Sequence, residues 1–440
     1  MIFEIISPTF INGSSNPSIQ DDIWISANSD NSGVTNMKYV FDIYNENEEL
    51  LMRSKVYPNP TDGRGYLNVG NIIRNEVIFD WFTVNPNQNI GIFITEPKMR
   101  YAFTIDAGED VSGVTTTNLF SSSINAYNFT QKVFDRFPFE GTHGEPNNAI
   151  WMKMNNWLTN RPKVLRAGIK DDIFIPLRYQ YTYEGDLASL YFTVNFFDAN
   201  GTQIATGTSG AYPNLGWNPE TYYQGFVQLN LSVSRLQEQI DDTIIDSVNC
   251  EPNGVSYIEV FPNISTVGDL IQPEPVEKLR IYLDCCPRYE TVNLHFMNQY
   301  GMFDTARFGL VNKLVSDTER KSFNKNDFQF ANNYVNYYRQ DSNVLLGNGF
   351  YSRVYNESKV NYGSKTSWKY KLTMDYPTDA EYEWLQELIV SPVIYAQIGQ
   401  DYYPVTITNT NYEYFRQEYA GLRAFEVEIE INQTRYGFRR

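Results

Sequence analysis

A chain of 440 residues with 35 Lys and Arg against 52 Asp and Glu has a formal net charge of -17, which argues against wrapping nucleic acid, since phosphate binding needs clustered cations. That length predicts about two to four domains, each large enough to bury its own core, and the 42% hydrophobic content fits a globular protein. The 33 Tyr and 28 Phe, with abundant Asn, Thr and Gly, favour strands joined by turns over helices.

The N-terminus, MIFEIISPTF, has no basic n-region and no long apolar core, so no signal peptide is expected. No apolar run of about 18 residues occurs, so no membrane-spanning helix is expected either. The three cysteines are Cys250 and the adjacent Cys285 and Cys286. With an odd count and no CxxC pair, no disulfide framework is expected, and reduced thiols are.

Two stretches of the chain repeat in the same order. IQDDIWI (19–25) matches IKDDIFI (169–175), and YVFDIYNEN (39–47) matches FTVNFFDAN (192–200). YPNP (57–60) then matches YPN (212–214), and EPKMRYAF (96–103) faces EPVEKLRIY (274–282). The repeat predicts two related β-sandwich modules, 1–103 and 169–282, the second with an insertion at 229–275. Ile23 and Ile25, like Ile173 and Ile175, mark an entering strand. Tyr39, Phe41 and Ile43 give the inward face of the next one. Asn45 to Asn47 and the stronger Asn200-Gly201 supply hairpin turns. Asp21-Asp22 and Asp171-Asp172 invite a calcium reading, but no ring of spaced carboxylates follows, so they read as solvated strand entries.

Residues 104–168 read as an irregular connector, with Trp151, Met152, Met154 and Trp157 as a short amphipathic helix or hydrophobic plug. The two histidines, His143 and His295, are too few for a metal site built on imidazoles. Residues 283–330 follow as a strand and an extended charged connector. Leu279, Ile281 and Leu283 and then Val292, Leu294 and Phe296 alternate as strands with one buried face. Segment 314–327 is too polar for a core of its own and is expected to be extended and ordered by a neighbour. Its Asp317, Glu319, Arg320, Lys321, Lys325 and Asp327 are the candidate subunit-interface residues.

The last module, 331–440, is a smaller α+β unit. Trp368, Tyr370, Leu372 and Met374 alternate as a strand. The capping box Thr378-Asp379-Ala380-Glu381 then opens a helix that Pro392 stops. Ala380, Trp384, Leu385, Leu388 and Ile389 form its apolar stripe, expected to lie on a sheet made by VIYAQI, YPVTITN and AFEVEIEI. The fold class is therefore mainly β: two related β-sandwich modules followed by a smaller α+β module.

The chain has no GxSxG elbow, no phosphate-binding Gly loop and no HExxH. No catalytic residue, cofactor or metal ligand is predicted, and no enzymatic activity is expected. The run YVFDIYNENEELLMRSKVYPNPTDGRGYLNVGNIIRN (39–75), with its Tyr57-Pro58-Asn59-Pro60, Gly63-Arg64-Gly65 and Ile72-Ile73-Arg74-Asn75, resembles N-terminal modules of structural proteins from tailed phages of Bacteroidetes hosts, the crAss-like group included. WLTNRPKV (157–164) and NLHFMNQYGMFDTARF (293–308) look similar to other parts of such proteins. The resemblance implies a non-enzymatic virion component, a ring-forming protein of the neck or tail of a short-tailed particle. It also implies assembly in the bacterial cytoplasm as a homo-oligomer with other tail, neck or portal proteins, with DNA passing through and no membrane insertion. The alternatives are a receptor- or glycan-binding tail protein built of β-sandwiches, against which the lack of a heptad stalk counts, and a host-side enzyme.

Overall fold

The computed structural model describes residues 2–5, 19, 22–76, 93–94, 100–127, 156–157, 159–169, 171–181, 189–208, 223–233, 254–265, 278–284, 287–324, 329–330, 350–351, 359–374, 377–409, 424–432 and 435–438. The chain divides into two compact units, each with its own fold. The first comprises Met1–Pro287, Asn293–Arg307 and Thr378–Pro392, and the second Arg288–Val292, Phe308–Pro377 and Val393–Arg440. The chain is mainly β, and its sheets pack as sandwiches.

The first unit opens with β1 (Ile2–Ile5), β2 (Trp24–Asn28), β3 (Lys38–Tyr44), β4 (Leu50–Val56), β5 (Gly65–Asn68), α1 (Gly70–Glu76), β6 (Phe93–Ile94), β7 (Arg100–Val111) and β8 (Val114–Tyr127). Two antiparallel sheets result, in the orders β1-β2-β5 and β4-β3-β7-β8. Ile25 and Ala27 from one sheet meet Tyr39, Phe41, Ile43, Ile105 and Ala107 from the other in one buried cluster, because alternate residues of each strand point to the shared side. Asp42 is also buried on β3. Arg53 compensates its charge through Nε at 2.6 Å and Nη2 at 2.8 Å.

A second sandwich follows with β9 (Asn156–Trp157), β10 (Val164–Ala167), β11 (Phe174–Tyr181), β12 (Ser189–Phe197), β13 (Gln203–Thr208), β14 (Tyr223–Asn230), β15 (Tyr257–Ser265) and β16 (Leu279–Leu283). Its sheets run β6-β14-β11-β9 and β10-β16-β15-β12-β13. The order β13-β12-β15-β16 repeats β4-β3-β7-β8, and the antiparallel pair β11–β14 repeats β2–β5. Asp42 lies opposite Asp106 in the first copy and Asn195 opposite Glu259 in the second. Ile175, Leu177, Phe192, Val194, Phe196, Ile258 and Ile281 fill the second core.

Several expectations are corrected here. Residues 104–127, read as irregular connector, continue β7 and form β8, so the first sandwich runs to Tyr127. The stretch 229–275, read as an insertion into the second sandwich, contains β15, a central strand of its core. The counterpart of β7 is therefore β15, and the match of 96–103 with 274–282 pairs strands that are not equivalent. Asp171 and Asp172 are buried rather than solvated. Asp171 is held by the Gly168 amide at 2.7 Å and by Arg307 Nε at 2.9 Å, and Asp172 by Asn230 Nδ2 at 2.7 Å. Asp21, His143, Trp151, Met152, Met154, Tyr212, Cys250, Cys285 and Cys286 lie outside the described residues.

The first unit is completed by β17 (Val292–Met297), β18 (Phe303–Phe308) and α2 (Asp379–Val390). In α2 the Thr378 hydroxyl accepts from the Glu381 amide, and the Glu381 carboxylate accepts from the Thr378 amide. This satisfies two of the donors a helix start leaves open. Its expected stripe is narrower than the sequence implies: Trp384, Leu385 and Leu388 are buried, while Ala380 is exposed. The helix was expected on the sheet of the last module, yet it groups with the first unit. Trp384 decides this, because its indole packs 5.4 Å from the Phe296 ring and donates to Asp304. Burying Trp384, Leu385 and Leu388 stabilises the helix by about 1.5–3 kcal/mol per side chain.

The second unit contains β19 (Lys313–Asn324), β20 (Gln329–Phe330), β21 (Phe350–Tyr351), β22 (Lys359–Met374), β23 (Ile394–Ile398), β24 (Asp401–Ile407), β25 (Phe425–Ile431) and β26 (Arg435–Phe438). Its main sheet runs β23-β24-β25-β22-β19, with β26 also on β22. Leu372, Met374, Phe425, Val427 and Ile429 form the buried face, and the Phe308 ring lies 6.2 Å from that of Phe425.

Candidate interaction surface

Four of the predicted interface residues, Asp317, Glu319, Arg320 and Lys321, lie together on β19 and are exposed. Lys325 and Asp327 lie outside the described residues. The segment is extended, as expected, but the chain's own β22 orders it rather than a neighbour. β19 pairs antiparallel with β22 along its whole length, from Lys313 opposite Lys371 to Asn324 opposite Lys359. Cross-strand chemistry fits the pairing: Glu319 faces Lys365, and Thr318 faces Thr366 with their hydroxyls 3.1 Å apart. Lys371 of β22 is in turn paired with Glu428 of β25.

β19 is the outer strand of the described sheet, and 11 of its 12 residues are exposed. Val315 is 41% exposed and Phe323 50%. The Phe323 ring lies 6.1 Å from the half-exposed Tyr362 ring. An open strand edge of this length offers a row of unpaired backbone donors and acceptors to another chain.

A second open edge belongs to the first unit. β7 and β8 are joined through Ser112-Gly113 with φ of 53° and 85°, the left-handed pair that a two-residue hairpin turn requires. Gly108 lets the strands close, since a Cβ there would sit 2.2 Å from the Thr116 carbonyl oxygen. Among the described residues β8 is the outer strand of its sheet, and its first eight residues, Val114 to Ser121, are all exposed and uncharged. Sequence reasoning missed this edge. The signal was Ser112-Gly113 flanked by Val111 and Val114 within a Thr-rich run.

A buried polar cluster lies elsewhere in the first unit, built from β17, β18, α2 and the segment after β9. Asp304 is fully buried, and its Oδ2 accepts from Thr159 Oγ1 at 2.6 Å and Trp384 Nε1 at 2.9 Å. Burial pushes its carboxyl above the usual Asp range, and the Thr159, Trp384 and Asn298 hydrogen bonds and the Arg161 charge only partly offset this. Burial pulls the Arg161 guanidinium down to about 10, against Asp304 and Glu381. Arg161 lies 4.9 Å from the Trp384 ring and donates to the Thr305 carbonyl. The Thr305 hydroxyl accepts from the Phe174 amide at 2.8 Å and sits 2.8 Å from His295 Nδ1. Asp304 and His295 are both at 0% exposure. The cluster joins segments far apart in the chain. Among the described residues no group of three or more His, Cys, Asp and Glu is placed to hold a metal ion, and no helix is long and apolar enough to cross a membrane.

No family model matches the chain, and no curated protein matches it. Among solved structures, the zebrafish RET cadherin-like domains 1 to 4 are similar at 8% identity with a TM-score of 0.13, over 78% of this chain and 63% of that one. A likeness at that score carries no argument, and the chain spans 63% of that structure's length.

Proposed function

We propose that this chain is a non-enzymatic structural protein of a virion, a ring-forming component of the neck or tail of a short-tailed phage. The observation that carries this function is the pair of long open strand edges, β8 in the first unit and β19 in the second. A subunit of a multi-copy assembly must offer more than one contact surface to its neighbours, and two chemically distinct edges supply separate ones. The described part of one is neutral from Val114 to Ser121, and the other carries both acid and base. The first sandwich holds β8, and the sheet of the second unit holds β19. The motifs of 39–75 that resemble modules of phage structural proteins support the same function. A charge of -17 per copy lets DNA pass such an assembly without adhering. The expected partners are further copies of the chain and other neck, tail or portal proteins.

The test is protein mass spectrometry of purified particles from an infected host, followed by electron microscopy of those particles. The chain is expected at many copies per particle, in density of rotational symmetry. Its absence from particles, or its presence only at fibre tips as a receptor binder, would overturn the proposal.

A further inference from the structure

We infer that β19 pairs antiparallel with β19 of a second copy of this chain, about a two-fold axis passing beside Glu319. The axis must stand normal to the sheet, and directly opposed residues of antiparallel strands project to the same face. Only registers centred on a residue are therefore allowed. Centring on Glu319 sets Val315 against Phe323 and Asp317 against Lys321, each twice. Centring on Thr318 instead opposes Asp317 to Glu319, and centring on Arg320 opposes Asp317 to Phe323 and Arg320 to itself. One register alone thus matches apolar with apolar and acid with base.

Over residues 314–324 that register leaves one like pair, Glu319 against Glu319, and the ribbon already carries the compensation. Lys365 lies directly across from Glu319 on β22, so the row reads Lys365, Glu319, Glu319, Lys365 over the two copies. The irregularity in the ribbon does not disturb the outer edge. Lys321 pairs with Gly363 and Ser322 with Asn361, so the extra residue is Tyr362 of β22, and β19 stays evenly pleated. Pairing also covers Val315 and Phe323, which are 41% and 50% exposed in the single chain. The contact joins copies in twos and is separate from the head-to-tail contact of a ring. It goes beyond the virion proposal and stands or falls without it.

The purified full-length chain is enough for the test. Sedimentation velocity across a concentration series is expected to show 51.0 kDa giving way to twice that mass. Asp317→Lys and Lys321→Asp should each weaken association by about tenfold, since each turns two attractive cross-strand pairs repulsive. The double exchange Asp317→Lys with Lys321→Asp should restore it. Glu319→Cys should form an intermolecular disulfide on oxidation, whereas Thr318→Cys, which lies opposite Arg320, should not, each compared with the unaltered chain and its own cysteines. The contact is overturned by a chain that stays at 51.0 kDa at every concentration. It is equally overturned by association that ignores the charge reversals, by a double exchange no better than the single ones, or by equal cross-linking at 318 and 319. Should a charge variant misfold, the cysteine pair still decides.

Discussion

The Val69 amide donates to the Ile23 carbonyl at 2.8 Å, and the Leu231 amide donates to the Ile173 carbonyl at the same distance. Each bond ties the residue before the entering strand of a sandwich to the residue just beyond the strand that pairs with it. The second bond is the first one repeated, and the hairpins after it repeat as well. Asn45 Oδ1 accepts from the Asn47 and Glu49 amides, and Asp198 Oδ1 accepts from the Asn200 and Thr202 amides.

The repeat makes a paired prediction about backbone strain. Glu48 and Gly201 are equivalent turn positions with φ of 62° and 81°. Gly201→Ala should cost about 1 kcal/mol, because a side chain disfavours the left-handed region. Glu48→Gly should cost nothing, or gain roughly 0.5 kcal/mol, for the same reason. Chemical denaturation of the two variants measures both signs, and a Glu48→Gly loss as large as the Gly201→Ala loss would refute the equivalence.

Gly108 sits where β7 and β8 close on one another. Gly108→Ala drives a methyl group towards the Thr116 carbonyl and should destabilise the first sandwich by about 2 kcal/mol. Gly113→Ala at the hairpin tip meets open space and pays only for its positive φ. The order of the two thermal midpoints, Gly108→Ala below Gly113→Ala, is the measurement.

The capping box of α2 predicts a loss of about 1 kcal/mol for Thr378→Ala. Thr378→Ser keeps the hydroxyl that the Glu381 amide donates to and should retain most of the stability. Equal losses for the two variants, read by urea unfolding, would show that the hydroxyl is not the cap.

Asp304 predicts a pH dependence. Its folded-state pKa is raised, so the native state holds a proton that the unfolded state releases. The stabilisation is complete below the ordinary Asp pKa and is lost as pH rises through the raised value. Asp304→Asn, which keeps an acceptor for Thr159 and Trp384, removes that loss. The wild-type chain should therefore lose stability relative to the variant as pH rises from the ordinary carboxylate range. A difference that does not change with pH in denaturation series would contradict it.

The sequence by itself determined the local faces. Alternation put Tyr39, Phe41 and Ile43 in the core, the box at Thr378 opened α2, and the repeated motifs announced a second sandwich. A period of two or of 3.6 says which side of an element is apolar, but not what it will meet. The tertiary structure alone decided the partners. Asp171 and Asp172 read as solvated, and they are buried because Arg307 and Asn230 arrive from distant segments to compensate them. α2 reads as a helix for the last module's sheet, and it packs in the first unit because Trp384 finds Phe296 and Asp304 there. β19 reads as a charged connector, and it is a strand because β22 supplies its backbone hydrogen bonds. Apolar burial needs only a face, whereas compensating a buried charge or completing a strand needs one particular partner, and chain distance hides it.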